Sequence, residues 1–211
     1  MNTTRFSVLR LAAIVALAAS LAGCGINSIP TKQETAKAKF ADLQADYQRR
    51  ADLIPNLVAT VQANAQQEHA VLVDVIKARA SATQVTLDPT KLTDPAAVQR
   101  YQAAQNSLGG ALGRLMVVSE KYPDLKSNEN FLALQSQLEG TENRITVARR
   151  DYNEAVRDYN TTLRVFPTVF WAKTMYSSSQ PMQLFEATEA AQNAPTVNFN
   201  LGYTSSAPAA K

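Results

Sequence analysis

A chain of 211 residues with 45% hydrophobic content can bury the core of one folded domain plus extras, which excludes wholesale disorder. Its single cysteine, Cys24, and single histidine, His69, exclude an internal disulfide framework, a Cys/His zinc box and the paired Glu-x-x-His motifs of a di-iron bundle. Glycine is scarce and no phosphate-cradling loop is legible, so neither metal nor cofactor is expected.

The chain opens with an address. Arg5 and Arg10 form a basic start, and Leu11 to Ala22 is an uncharged, mostly apolar run too short for a comfortable membrane span. Leu21-Ala22-Gly23-Cys24 then resembles a bacterial lipobox: a branched residue, two small residues that admit a peptidase, and a thiol that can carry a diacylglyceryl group. Residues 1–23 are therefore read as a lipoprotein signal peptide, with Cys24 as the lipid attachment site. Several acyl chains on one residue hold far better than one. Gly25, where Asp would commonly retain a lipoprotein in the inner membrane, directs the expectation to the outer membrane, facing the periplasm. Loss of Arg5 and Arg10 takes Lys+Arg from 21 to 19 against 18 Asp+Glu, a formal charge near +1. The basic pI of about 9.0 thus owes much to the discarded leader, and no nucleic-acid partner is expected.

Residues 24–31 read as a tether. From about Lys32, Phe40, Tyr47, Ile54, Val61, Glu68 and Val75 recur every seventh residue, with Leu43, Leu57, Val71 and Ala78 on the intervening d-like places. Pro55 interrupts this pattern. The unbroken phase favours one kinked helix, whereas length matching favours a fold-back at Asp52–Pro55, with Asp52 capping a fresh helix. Gln84 to Thr93 is a connector, and Asp94-Pro95 is a helix start. The next helix reaches about Lys121 with Val98, Tyr101, Leu108, Leu112, Leu115 and Val118 inward. Its three glycines, Gly109, Gly110 and Gly113, suggest close helix approach or a weak point.

Tyr122-Pro123-Asp124 ends that helix, and Ser127 or Asn128 caps the longest one. Phe131, Leu138, Ile145, Tyr152, Tyr159 and Phe166 form a strict seven-residue ladder, with small d-like Thr141, Ala148, Ala155 and Thr162 admitting a close neighbour; Pro167 terminates it. Residues 32–173 are thus an all-α domain, an elongated antiparallel helical bundle of three to four long helices with a break or kink near Pro55. Residues 174–211 read as an irregular tail with a weak strand-like stretch over Val197 to Tyr203.

No nucleophile–base–orienter set is legible. His69 reads as a surface residue, and Glu139 and Glu142 as solvated carboxylates. Arg150, Arg157 and Arg164 repeat every seven residues among Asp151, Glu154 and Asp158; the stripe is either a salt-bridged solvated face or a dock for an acidic partner. Phe170 and Trp171 form a partner-binding patch or cover the bundle end. Tyr101, Tyr152 and Tyr159 are candidates to line a cavity for a small ligand or lipid.

Three ordered runs carry a resemblance: Tyr47-Gln48-Arg49-Arg50-Ala51-Asp52-Leu53-Ile54-Pro55-Asn56-Leu57-Val58, then Tyr122 to Phe131 (YPDLKSNENF), then Leu138 to Ile145 (LEGTENRI) continuing through Ala148-Arg149-Arg150-Asp151-Tyr152-Asn153 to Phe166-Pro167. Together they resemble the LemA family. The resemblance implies a bacterial envelope-associated helical bundle and brings no catalytic residues. Members commonly begin with a transmembrane helix; this chain has a lipobox instead. The expectation is a non-enzymatic envelope lipoprotein, anchored in the membrane by acyl chains on Cys24, acting as a scaffold or adaptor for envelope proteins. The alternative is a small-ligand or lipid-binding bundle.

Overall fold

The computed structural model describes residues 25–64 and 68–186, all helical or irregular. The expected leader, Cys24 and the strand-like stretch over Val197 to Tyr203 lie outside the described residues.

Helix α1 (Ser28–Asn64) begins four residues ahead of Lys32, with Pro30 in its first turn, where a missing N–H leaves no bond unmade. Gly25 and Ile29 are buried, so the described part of the tether is packed onto the domain. The helix continues through Pro55, and the fold-back at Asp52–Pro55 does not occur. Proline removes the N–H that would bind the Ala51 carbonyl, and Ala51 is buried. Arg79 of α2 (His69–Gln84) donates Nε to that carbonyl at 2.9 Å, so a neighbouring helix supplies the missing bond. The reversal falls instead between Asn64 and His69. There the apolar repeat lapses, because Asn64 and Glu68 stand where Leu57 and Val61 stood one heptad earlier. Phe40, Leu43 and Tyr47 do not overhang, because they share one cluster with Tyr101, with Tyr152 and Tyr159 of the last long helix, and with Phe185 beyond it.

Helix α3 (Pro95–Ser119) is capped as its sequence requires: Asp94 Oδ1 accepts from the Ala96 and Ala97 amides at 2.9 and 3.3 Å. A short helix α4 (Pro123–Lys126) leads to Asn128, whose Oδ1 caps α5 (Glu129–Thr162) by accepting from Asn130 and Phe131 N–H. Helices α2 and α3 form one antiparallel pair, α1 and α5 the other. At about 1.5 Å per residue, α1 is roughly 55 Å long and α5 roughly 50 Å. Their register is written in charge. Lys32 pairs with Asp158 at 2.6 Å, Lys39 with Asp151 at 4.0 Å, and Asp46 with Arg144 at 3.3 Å. Each step of seven up α1 matches seven back along α5, which is the antiparallel form of the heptad. Such half-exposed pairs contribute at most about 1 kcal/mol each; the apolar ladder between them carries the stability.

Phe131, Leu138, Ile145, Tyr152 and Tyr159 are buried as the ladder requires, but Phe166 is 86% exposed. The helix ends at Thr162, and Thr168 Oγ1 lies 2.6 Å from Thr162 O and 2.9 Å from Val165 O, capping its last carbonyls. Phe166 therefore falls off the helical register. A short helix α6 (Thr168–Thr174) follows.

Beyond it the described backbone, to residue 186, is irregular yet tightly held. Asn160 Oδ1 accepts from Met182 N–H and its Nδ2 donates to Met182 O, both at 2.9 Å. Asn153 does the same to Phe185. Tyr152 and Tyr159 donate to Gln183 O and Gln180 O, and Arg149 and Gln102 to Glu186 O. Met182 and Phe185 plug the groove between these clamps, with Phe185 edge-on to Tyr152 at 5.2 Å. Residues 180–186 are thus a strap that closes the upper core.

Two predictions follow from these bonds. Arg79→Ala strips the Ala51 carbonyl of its donor and should cost about 1–3 kcal/mol in urea unfolding; in a Pro55→Ala background, where the helix makes its own bond, the cost should shrink. Equal costs in both backgrounds would mean that Arg79 does not stand in for the proline. Asn153→Ala or Asn160→Ala each removes two strap bonds. Amide exchange at Phe185 or Met182 should rise by on the order of ten- to a hundredfold, and unchanged protection would show the strap is held by its apolar plugs alone.

Candidate functional site

Two apolar clusters divide the bundle, one around Phe40, Tyr101 and Tyr152, the other around Leu57, Leu108 and Phe131. Between them lies a polar layer centred on Arg50, which is only 4% exposed. Its Nη2 donates to Gln105 O and Oε1, both at 3.0 Å, and its Nη1 to Glu142 Oε2 at 3.0 Å. Gln105 passes the chain on, donating Nε2 to Ala82 O, so the layer ties α1, α2, α3 and α5 together. The guanidinium carbon sits 5.2 Å from the Tyr47 ring centre, a cation–π contact. Arg50 Nε is buried without an acceptor among the described residues. In the sequence Arg50 was given no role beyond its place in the Tyr47 to Val58 run. The signal was present: Arg50 stands on the d-like place between Leu43 and Leu57, a cation in a core register.

Arg50 also floors a cleft of about 370 Å³ between α3 and α5, with Gly109 and Gly113 on one wall and Leu138, Glu139 and Glu142 on the other. The glycines do not serve close helix approach. A Cβ at Gly109 would come no nearer than 3.8 Å to Arg50, and one at Gly113 would meet nothing within 4 Å. Their missing side chains leave the cleft open. Glu142 caps the Arg50 guanidinium from the surface, and Glu139 accepts from Gln135.

The tyrosines expected to line a cavity fill the core instead. Tyr152 and Tyr159 are fully buried with hydroxyls on strap carbonyls, and Tyr101 packs edge-on against Phe40 and Tyr47 at 5.9 Å. Burial pushes the Tyr101 and Tyr152 hydroxyls far above their ordinary pKa and raises Tyr47 against the opposing pull of Arg149 and Arg50, so all three hold their protons. Tyr101 borders only a small cleft of about 110 Å³. His69 is exposed.

Arg150, Arg157 and Arg164 are exposed along α5 and just beyond its end. Of the acids interleaved with them, Asp158 turns away to pair with Lys32, while Asp151 lies between Lys39 and Arg150. Arg157 and Arg164 pair with no described carboxylate. The aromatic pair splits between its two readings. Trp171 is half-buried against the upper core, while Phe170, edge-on to it at 5.1 Å, is 58% exposed. Trp171 also packs beside Gly25, which brings the start of the described chain to the same end.

Among the described residues no three His, Cys, Asp or Glu side chains gather as a metal site, and no helix is long and apolar enough to cross a membrane.

Comparison with known proteins places this architecture. The chain is 28% identical over 176 residues to magnetosome proteins MamQ 1 and MamQ 2 of Paramagnetospirillum magneticum, covering 76% of this chain and 64% of theirs. It is 26% identical to magnetosome protein MamQ of Magnetospirillum gryphiswaldense over 67% of this chain and 58% of that one. The chain thus spans under two thirds of the length of these relatives. The LemA family model matches residues 39–199, from the first buried rungs of α1 to beyond the strap, and the chain belongs to the LemA family.

Proposed function

We propose that this LemA protein is a non-enzymatic envelope lipoprotein, moored through acyl chains on Cys24 to the outer membrane and facing the periplasm. Its bundle serves as a scaffold or adaptor for other envelope proteins. The observation that carries the adaptor role is the unpaired part of the arginine stripe. Arg157 and Arg164 are exposed and pair with no described carboxylate, and Asp158, next to Arg157 in sequence, pairs with Lys32 of α1. A rigid pair of helices bearing a free cationic edge fits an acidic protein surface. The relatives' names support the reading in a limited way, since they refer to a cellular structure, the magnetosome, and not to a reaction.

A second reading rests on the Arg50 cleft. A pocket of about 370 Å³ lined by Leu112, Met116 and Leu138 beside Arg50 suits a small, mostly apolar ligand. Native mass spectrometry of protein taken directly from cells separates the two: a co-purified mass lost in Gly113→Leu favours the ligand.

Cys24→Ser should stop incorporation of labelled fatty acid and remove the protein from the membrane fraction as a lipoprotein; label still entering the variant would refute the anchor. Pull-down from crosslinked membranes should return a reproducible envelope protein that is lost in Arg157→Glu/Arg164→Glu. No such partner in repeated captures would overturn the adaptor role.

A further inference from the structure

We infer that the α6 end of the bundle is itself a membrane-docking face, with Phe166 and Phe170 seated in the headgroup region of the bilayer that holds Cys24. This deepens the lipoprotein reading and rests on it.

The first ground is the concentration of exposed apolar surface. Within eleven residues, Val165 is 46% exposed, Phe166 86%, Phe170 58% and Met175 61%. Of the other exposed large apolar side chains, Ile76, Val117, Leu132 and Val147 are spread over three different helices and Leu184 lies on the strap. A scattered apolar residue needs no explanation, whereas a contiguous patch marks a contact surface. Phe166 is exposed because α5 stops four residues before it, and Phe170 because its ring is turned outward while Trp171 anchors α6 to the core.

The second ground is where the chain leaves. Gly25 is buried against α6, and a Cβ there would lie 3.2 Å from Thr168 Cγ2 and 3.9 Å from Trp171 Cδ1. Consecutive Cα atoms are about 3.8 Å apart. Gly25 lies against α6, and the next residue back along the chain is Cys24. Acyl chains on that residue bring the bilayer surface to within side-chain reach of α6.

Charge agrees. Between Tyr159 and Phe185 the only ionisable acids and bases of the ordinary charged kind are Arg164 and Lys173, and residues 25–31 carry none. Exposed aromatics flanked by cations and free of carboxylates match the aromatic and basic character of membrane-interface belts and suit anionic lipid headgroups. Docking at this end would fix the angle of the bundle and stand the Arg50 cleft away from the membrane.

Trp171 is the only tryptophan, so its emission reports on this end alone. The acylated protein is purified from membranes and reconstituted into phosphatidylethanolamine–phosphatidylglycerol vesicles containing a phospholipid brominated high on its acyl chains. We expect Trp171 to be quenched. Phe166→Ser/Phe170→Ser replaces two exposed side chains and should leave the circular dichroism and the co-sedimentation unchanged while most of the quenching is lost. Protein that co-sediments yet shows no quenching, or a double variant quenched as strongly as wild type, overturns the docking face and leaves the anchor standing. Protein that lacks acyl mass on Cys24 and stays in the supernatant overturns both.

Discussion

A guanidinium buried at mid-height in a helical bundle has to be answered from several directions at once, and Arg50 sets that condition for the whole fold. Desolvating its charge costs several kcal/mol unless hydrogen bonds offset it. The partners come from different helices: Gln105 from α3 and Glu142 from α5. An axial slip of one turn in either helix would take them out of reach. On α1, α3 and α5 alike the polar residue falls between two apolar rungs, Tyr47 and Ile54, Tyr101 and Leu108, Leu138 and Ile145. Apolar rungs alone tolerate sliding by a heptad, because one large side chain resembles the next. The polar layer removes that freedom, and the ion pairs from Lys32–Asp158 to Asp46–Arg144 repeat the same register along the exposed edge.

Proline and glycine play roles here opposite to the ones their local chemistry suggests. Pro55 reads as a breaker, yet α1 passes through it because Arg79 reaches across from α2 to the carbonyl that proline orphans. Gly109 and Gly113 read as close-packing residues, yet they border open space. In each case the deciding atom belongs to another helix or to none. A rule about one helix cannot see it.

That distinction separates what was legible from what was not. The helical class, the caps at Asp94 and Asn128, and the buried rungs of α5 from Phe131 to Tyr159 depend on neighbours within one or two turns, and the sequence displayed them. The reversal after Asn64 was visible in principle as two polar residues in successive core places; the louder proline signal masked it. Arg50 was visible in the same way, as a charge at a d-like place. The strap was hidden for a different reason. Met182 and Phe185 have no periodicity of their own, and they acquire order only from Asn153 and Asn160, which lie more than twenty residues earlier. Asparagine side chains two helical turns apart look like any exposed polar residues until the segment they clamp is in view.

The strap and the aromatic end bear jointly on function. With the upper core closed by residues 180–186, the tyrosines there are sealed, and the cleft at the Arg50 layer stays open lower in the bundle. The exposed hydrophobic side chains then gather at the opposite extreme, where the chain emerges at Gly25. A bundle organised in this way has a greasy end, a strapped upper body and a cationic flank, and Arg164 stands where the flank meets the greasy end. Whatever meets the flank at Arg157 and Arg164 approaches a surface whose height above the greasy end is fixed by rigid helix and not by a flexible linker. For a moored adaptor, that fixed height is a selection rule: partners are discriminated by how far their acidic surface stands from the membrane as well as by its charge.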